Sequence, residues 1–153
     1  MPNSQRVGKD QERAIVNHAR ANGFPGADRI IRTGAGKDYA VRADQGDIWL
    51  CPGVIVQSKR LSPVSRMERC IKQWQAETNA QRIAAGAAFG VLIVRREGTT
   101  DVGDWWAWLT LTDLHILMES NLSLTGVPVR LTVADAYTLL RAAGYGSAVQ
   151  EGM

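Results

Sequence analysis

Cysteine and histidine are scarce in this chain, two of each among 153 residues. Cys51 and Cys70 form no CxxC pair and have no histidine cluster beside them, which argues against a zinc site. His18 and His115 have no partners at ligand spacing and read as structural or surface residues. No stretch approaches the roughly 20 apolar residues that a membrane helix requires, so no membrane partner is expected. The first ten residues are polar and lack the apolar core of a secretory signal. The cytoplasm is therefore the expected compartment, with both thiols reduced. Internal repeats, low-complexity tracts and an interdomain linker are also missing, so residues 1–153 are expected to form one domain. Hydrophobic residues make up 45% and charged residues 22%, a globular balance rather than a disordered one.

Charge is unevenly placed along the chain. Residues 1–99 hold 16 Lys/Arg against 9 Asp/Glu, and residues 100–153 hold 2 against 6. A basic part joined to an acidic one invites an anionic partner for the first. A solvated basic surface with no partner gives the same count.

Periodicity predicts the elements. A helix is expected from Asp10 to Ala21, closed by Asn22-Gly23, with Ile15, Val16 and Ala19 on its apolar face and Glu12 at the edge of that face. A short strand follows at Arg29–Arg32, then a glycine-bearing loop from Thr33 to Lys37. Asp47–Cys51 and Val54–Arg60 flank Pro52-Gly53 and predict a hairpin. Ser65–Ala85 carries Met67, Cys70, Ile71, Trp74 and Thr78 at helical spacing. Beyond it are strands at Phe89–Arg95 and Trp105–Leu111, a short helix at Thr112–Ser120, a strand at Val127–Thr132 and a last helix at Val133–Ala143. The order implies an α/β fold, a mixed central sheet flanked by helices.

The hairpin carries the chemistry. Side chains alternate along a strand, so Gln57 and Lys59 share a face that Ser58 does not. The turn brings Asp47 back beside them, gathering an acid, an amide oxygen and an amine, with the Ser58 backbone carbonyl available as well. Oxygen donors of this kind suit Mg2+ or Mn2+. Such an ion polarises a phosphodiester and activates a water, while Lys59 steadies the hydroxide.

Glu12, Gly46-Asp47-Ile48 and Val56-Gln57-Ser58-Lys59 together resemble the PD-(D/E)XK nuclease superfamily: a helical Glu, an Asp at a strand start, and (D/E)xK on the next strand. In size the chain resembles the small Holliday-junction resolvases of the archaeal type and their bacteriophage relatives. The resemblance covers about residues 5–95 and leaves about 100–150 as a C-terminal elaboration. It implies a restriction-endonuclease-like core and a Mg2+- or Mn2+-dependent endodeoxyribonuclease for branched DNA, serving recombination and repair in a bacterial or phage-infected cell. Glu12, Asp47, Gln57 and Lys59 would be its catalytic residues. Asp47, Gln57, the Ser58 carbonyl and Glu12 would surround the metal. A homodimer would supply two symmetric nicks. Arg32-Thr33-Gly34-Ala35-Gly36 resembles the family's loop near the scissile phosphate, and Arg32, Thr33, Lys37, Arg42 and Arg60 are the expected DNA contacts.

Two positions depart from the pattern. Gln57 replaces a carboxylate and removes one negative charge, for which Glu68 or Glu77 is a candidate replacement. Gly46 replaces a proline and is expected to change backbone stiffness and little else. Gln57 also keeps open a catalytically weak DNA-binding protein, and a nicking or restriction-like nuclease on duplex DNA is a further alternative. In the later strand, Trp105 shares a face with Ala107 and Leu109, and Trp106 with Trp108. Two apolar faces imply a strand covered on both sides, or one face given to a partner chain. Base stacking ranks last, since no basic residue interleaves the tryptophans in sequence.

Overall fold

The computed structural model describes residues 4–31, 46–60, 64–118 and 128–147. Helix α1 (Ser4–Ala21) begins six residues before the expected Asp10. Gln5, Arg6 and Lys9 are good helix formers, and the one glycine among them, Gly8, costs only about 1 kcal/mol. Ile15, Val16 and Ala19 are buried along α1, as their spacing predicts. Gly23, at φ 98°, turns the chain out of the helix, and the Phe24 N–H donates to Ala19 O at 3.0 Å.

Strand β1 (Asp28–Arg29) is shorter than expected and pairs with β2 (Ile48–Cys51). The β2–β3 hairpin forms through Pro52-Gly53, with β3 spanning Val54–Lys59 and a bulge between Trp49 and Cys51. Helix α2 (Val64–Ala84) then crosses over to β4 (Phe89–Val94), which runs parallel to β3. A single 3-10 turn (Val102–Asp104) leads into β5 (Trp106–Thr110). Helix α3 (Leu111–Leu117) is opened by a capping box between Thr110 and Asp113. Strand β6 (Pro128–Thr132) and α4 (Val133–Ala142) close the order. The result is a mixed open sheet in the order β1-β2-β3-β4-β5-β6, parallel at β3–β4 and antiparallel elsewhere. Among the described residues, four helices accompany it, and none is long and apolar enough to cross a membrane.

The larger core lies on the α1 and α4 side. Ile15, Ile48, Val56, Ile93, Leu109 and Leu140 all belong to it, so strands from both halves of the chain bury one common face. His18 packs on the Tyr137 ring there, centroids 5.6 Å apart. Burial lowers the His18 pKa, against a smaller upward pull from Asp101. Under α2 a second cluster joins Met67, Ile71 and Trp74 to Leu92 and Val94, with Trp106 and Trp108 half-buried at its margin. Every residue of β4 is buried, as its unbroken apolar run demands of a strand covered on both faces.

Gly90 governs how closely α2 approaches the sheet. A Cβ there would lie 3.0 Å from Thr78 Cγ2, 3.1 Å from Thr78 O and 3.3 Å from Arg82 Cβ. Gly90→Ala is therefore expected to lower stability by about 1–3 kcal/mol in urea denaturation, the range for overpacking a filled interior. Gly8→Ala, where a Cβ meets nothing within 4 Å, should be neutral or raise stability by up to about 1 kcal/mol. Equal behaviour of the two variants would disprove the close seating.

Candidate active site

Alternation along β3 sends its side chains to two different helices. Ser58 faces α1, where its Oγ accepts a hydrogen bond from Gln11 Nε2 at 2.7 Å. Gln57 and Lys59 face α2, in keeping with the shared face that the sequence predicts. Extending the ladder beyond Ile48↔Val56 by one pair sets Asp47 across from Gln57. The Asp47 N–H donates to Val56 O at 3.0 Å, and its Oδ2 accepts the Ser58 N–H at 2.8 Å. One carboxylate oxygen of Asp47 is thus fixed to the β3 backbone.

The residue before Asp47 corrects an expectation. Gly46 is buried at φ 101°, whereas a proline ring holds φ near about −65°. A Cβ there would also meet Ile55 Cδ1 and Val56 O, each at 3.3 Å. Glycine does more than alter stiffness: it gives the backbone a bend that proline cannot make, and with it the entry of Asp47.

On the α2 side, Gln57 and Thr78 are buried, 3% and 1% exposed. The Thr78 hydroxyl lies 2.5 Å from Gln57 Oε1 and 2.8 Å from Trp74 O, sharing its single proton between them. Gln57 Nε2 donates to Glu77 Oε2 at 3.2 Å, and Lys59 Nζ approaches the same oxygen at 3.2 Å. Gln73 Nε2 donates to Glu77 Oε1 at 3.3 Å. Burial alone would raise the Glu77 pKa, but hydrogen bonds from Lys59, Gln57 and Gln73 and the Lys59 charge together bring it below its ordinary value. Of the two candidate acids, Glu77 is the one that reaches Gln57 and Lys59. Glu68 is exposed about two and a half turns earlier, which directs it to the opposite side of α2.

Glu12 occupies a different position. It lies on the α1 side, where its Oε2 takes the Arg29 Nε–H at 2.8 Å, both side chains about one-fifth exposed. Arg29 pairs with Ile48 in the ladder, so Glu12 is one strand away from the residue that follows Asp47. The fold brings together Asp47, Gln57, Ser58 and Lys59, and leaves Glu12 bound to Arg29 across the sheet. Arg60 is exposed immediately after β3. Arg32, Thr33, Lys37 and Arg42 lie outside the described residues.

Two contributors belong to no motif in the sequence. Gln11, 4% exposed, also donates to Lys59 O at 3.0 Å and so ties α1 to the end of β3. Its signal was present, since Gln11, Ile15 and Ala19 repeat every four residues on one stripe. Thr78 falls on the apolar face of α2 by its spacing, yet its hydroxyl orients the Gln57 amide.

Chemically, this is an oxygen-rich site with one amine. Among the described residues, no group of three or more His, Cys, Asp or Glu gathers around a point. A divalent ion here would rest on Asp47, the Gln57 amide oxygen, the Ser58 carbonyl and water, with Glu77 as the second acid. Few protein carboxylates and several waters are the usual arrangement for magnesium, so the donor set fits that ion. Compared with known protein families, curated proteins and solved structures, the chain matches none.

The electrostatics can be checked directly. A carboxylate with a depressed pKa adds stability that is complete above its ordinary value and is lost as pH falls through the lowered one. A carbon-13 NMR titration should therefore place the Glu77 midpoint below 4.5, its unperturbed value. Lys59→Met should move the midpoint upward. A midpoint at or above 4.5 that ignores Lys59→Met would rule out the Lys59–Glu77 bond.

Proposed function

We propose that this protein is a metal-dependent DNA endonuclease with a restriction-endonuclease-like core, hydrolysing phosphodiester bonds at branched DNA as a homodimer. What supports the reading is one arrangement. Asp47 just before β2 and Gln57 and Lys59 on β3 follow the order of the PD-(D/E)XK pattern on one side of a hairpin, and Glu77 from α2 joins Gln57 and Lys59 there.

When bound, Mg2+ or Mn2+ supplies Lewis-acid chemistry and a water of lowered pKa. Asp47 would be its principal anionic ligand, held in place by the Ser58 N–H. Gln57 offers a neutral oxygen whose direction Thr78 sets, and Glu77 restores the negative charge that the glutamine lacks. The Lys59 ammonium, anchored on Glu77, would steady the attacking hydroxide and the negative charge that builds on the phosphoryl oxygens. Glu12, with Arg29, acts from the α1 side by holding β1 against the helix. A second reading, a DNA-binding protein with weak or no cleavage, draws on the Gln57 amide being hydrogen-bonded at both ends.

The deciding experiment is cleavage of a labelled four-way junction beside a matched linear duplex, titrated with magnesium. Wild type should nick the junction. Asp47→Asn should bind it yet cut at least about 100-fold more slowly, as expected when several kcal/mol of charge stabilisation is lost. Glu77→Gln should require more magnesium for half-maximal cleavage, and adding Gln57→Glu should offset that by returning the carboxylate to β3. Gln57→Leu, with no ligand atom, should require far more. Undiminished cutting by a folded Asp47→Asn would eliminate the nuclease site. Superimposable magnesium curves for the Gln57 and Glu77 variants would eliminate their part in it.

A further inference from the structure

The tryptophan strand has basic neighbours that the sequence did not reveal. Arg130 lies opposite Trp108 in the β5–β6 ladder. Its guanidinium carbon stands 4.0 Å from the Trp106 ring centroid, and that of Arg96 stands 4.4 Å from the same centroid. Both arginines are exposed, and neither is ion-paired to a carboxylate among the described residues. Two like charges are thus held at one indole ring by its quadrupole, and Arg96 Nη1 also reaches the Asp104 backbone carbonyl at 3.5 Å.

Arg96 also borders a second cationic feature. At the ends of β3 and β4, Arg60, Arg95 and Arg96 line a cleft of about 400 Å³ together with Thr99 and Thr100. Glu97 also lines it, leaving three guanidinium groups against one carboxylate. The ladder ties the surface to the candidate active site: Lys59 pairs with Val94, and Val94 with Trp106. Trp106 therefore stands two strands from Lys59 in the same row, about 10 Å across the sheet.

We propose that Arg96 and Arg130, held on Trp106, form with Arg60 and Arg95 a phosphate-contact stripe that seats the DNA backbone beside the candidate active site. The proposal rests on the nuclease reading for the identity of the anion. It adds a DNA-contacting surface outside the loop and strand residues expected from sequence. Phosphate suits this surface better than a stacked base, because a base seated on Trp106 would have to displace an arginine. A span of about 10 Å matches the axial rise of about three base steps, and planar guanidinium forks suit the phosphate oxygens. Trp106 is a positioning residue: it holds the arginines in place and so lowers the cost of ordering them on binding.

The test is fluorescence anisotropy of labelled duplex and four-way junction against salt, without magnesium, using variants verified as folded by circular dichroism. Arg96→Ala with Arg130→Ala should flatten the log–log salt slope by up to about 2 units. Trp106→Leu keeps both charges, so its slope should stay near wild type while affinity falls roughly 2- to 5-fold. If wild type binds and the double arginine variant keeps its full slope, the stripe is wrong. It is also wrong if Trp106→Leu abolishes binding while the arginine pair is dispensable, since a base would then be stacking on the ring. Wild-type cleavage is scored separately in the junction assay. A protein that cuts with an unchanged slope would retain the nuclease reading and lose the stripe. A protein whose stripe-dependent binding is never followed by cutting would do the reverse.

Discussion

Helix α2 lies across the parallel β3–β4 pair at a separation set by Gly90, and most of the site follows from that seating. With no Cβ on Gly90, the α2 backbone at Thr78 comes close enough for the Thr78 hydroxyl to reach Gln57. Glu77, one residue earlier, then meets Lys59 and the other end of the Gln57 amide. The same approach buries Met67, Ile71 and Trp74 against Leu92 and Val94. Apolar packing and polar geometry therefore depend on a single close contact. A side chain at Gly90 would disturb both at once, because interiors packed to crystal density transmit displacement instead of absorbing it.

Charge at the site follows from the same geometry. Gln57 is a buried amide on β3, and a buried amide must find partners for both of its ends. Thr78 and Glu77 provide them. Glu77 thereby stands beside Lys59 on the α2 side, so the helix brings a carboxylate to a strand position that carries an amide. A carboxylate on a helix is held by packing rather than by the sheet ladder, so its position depends on how well α2 is seated. Asp47 differs in this respect, since the Ser58 backbone N–H holds it directly. One acid is placed by the hairpin and the other by tertiary packing.

Much of this was legible in the sequence because it rests on local periodicity. The apolar faces of α1 and α2, the hairpin around Pro52-Gly53, the shared face of Gln57 and Lys59, and the two faces of the tryptophan strand all follow from periods of 3.6 and 2. The element order is as expected, with boundaries shifted by a few residues where polar helix formers extend a helix or a strand frays. Other features need partners distant in sequence. The ion pair of Glu12 with Arg29, the Gln11 bridge to Lys59 and the choice of Glu77 over Glu68 depend on which helix lands on which strand.

The tryptophans show this division clearly. Their alternation fixed which rings face the core, and Trp105, Ala107 and Leu109 are buried together. No pattern within that strand could announce Arg130, which arrives from a neighbouring strand through ladder register, or Arg96, which arrives from the end of β4. By itself the sequence determined the elements, their faces and the chemistry of the β2–β3 hairpin, since each of these is decided by residues within one or two turns or pleats of one another. Only the tertiary structure decided which acid stands beside Lys59, what bend Gly46 supplies before Asp47, and which cations gather on Trp106. Those outcomes depend on helix seating and on the register between strands, which local spacing does not encode.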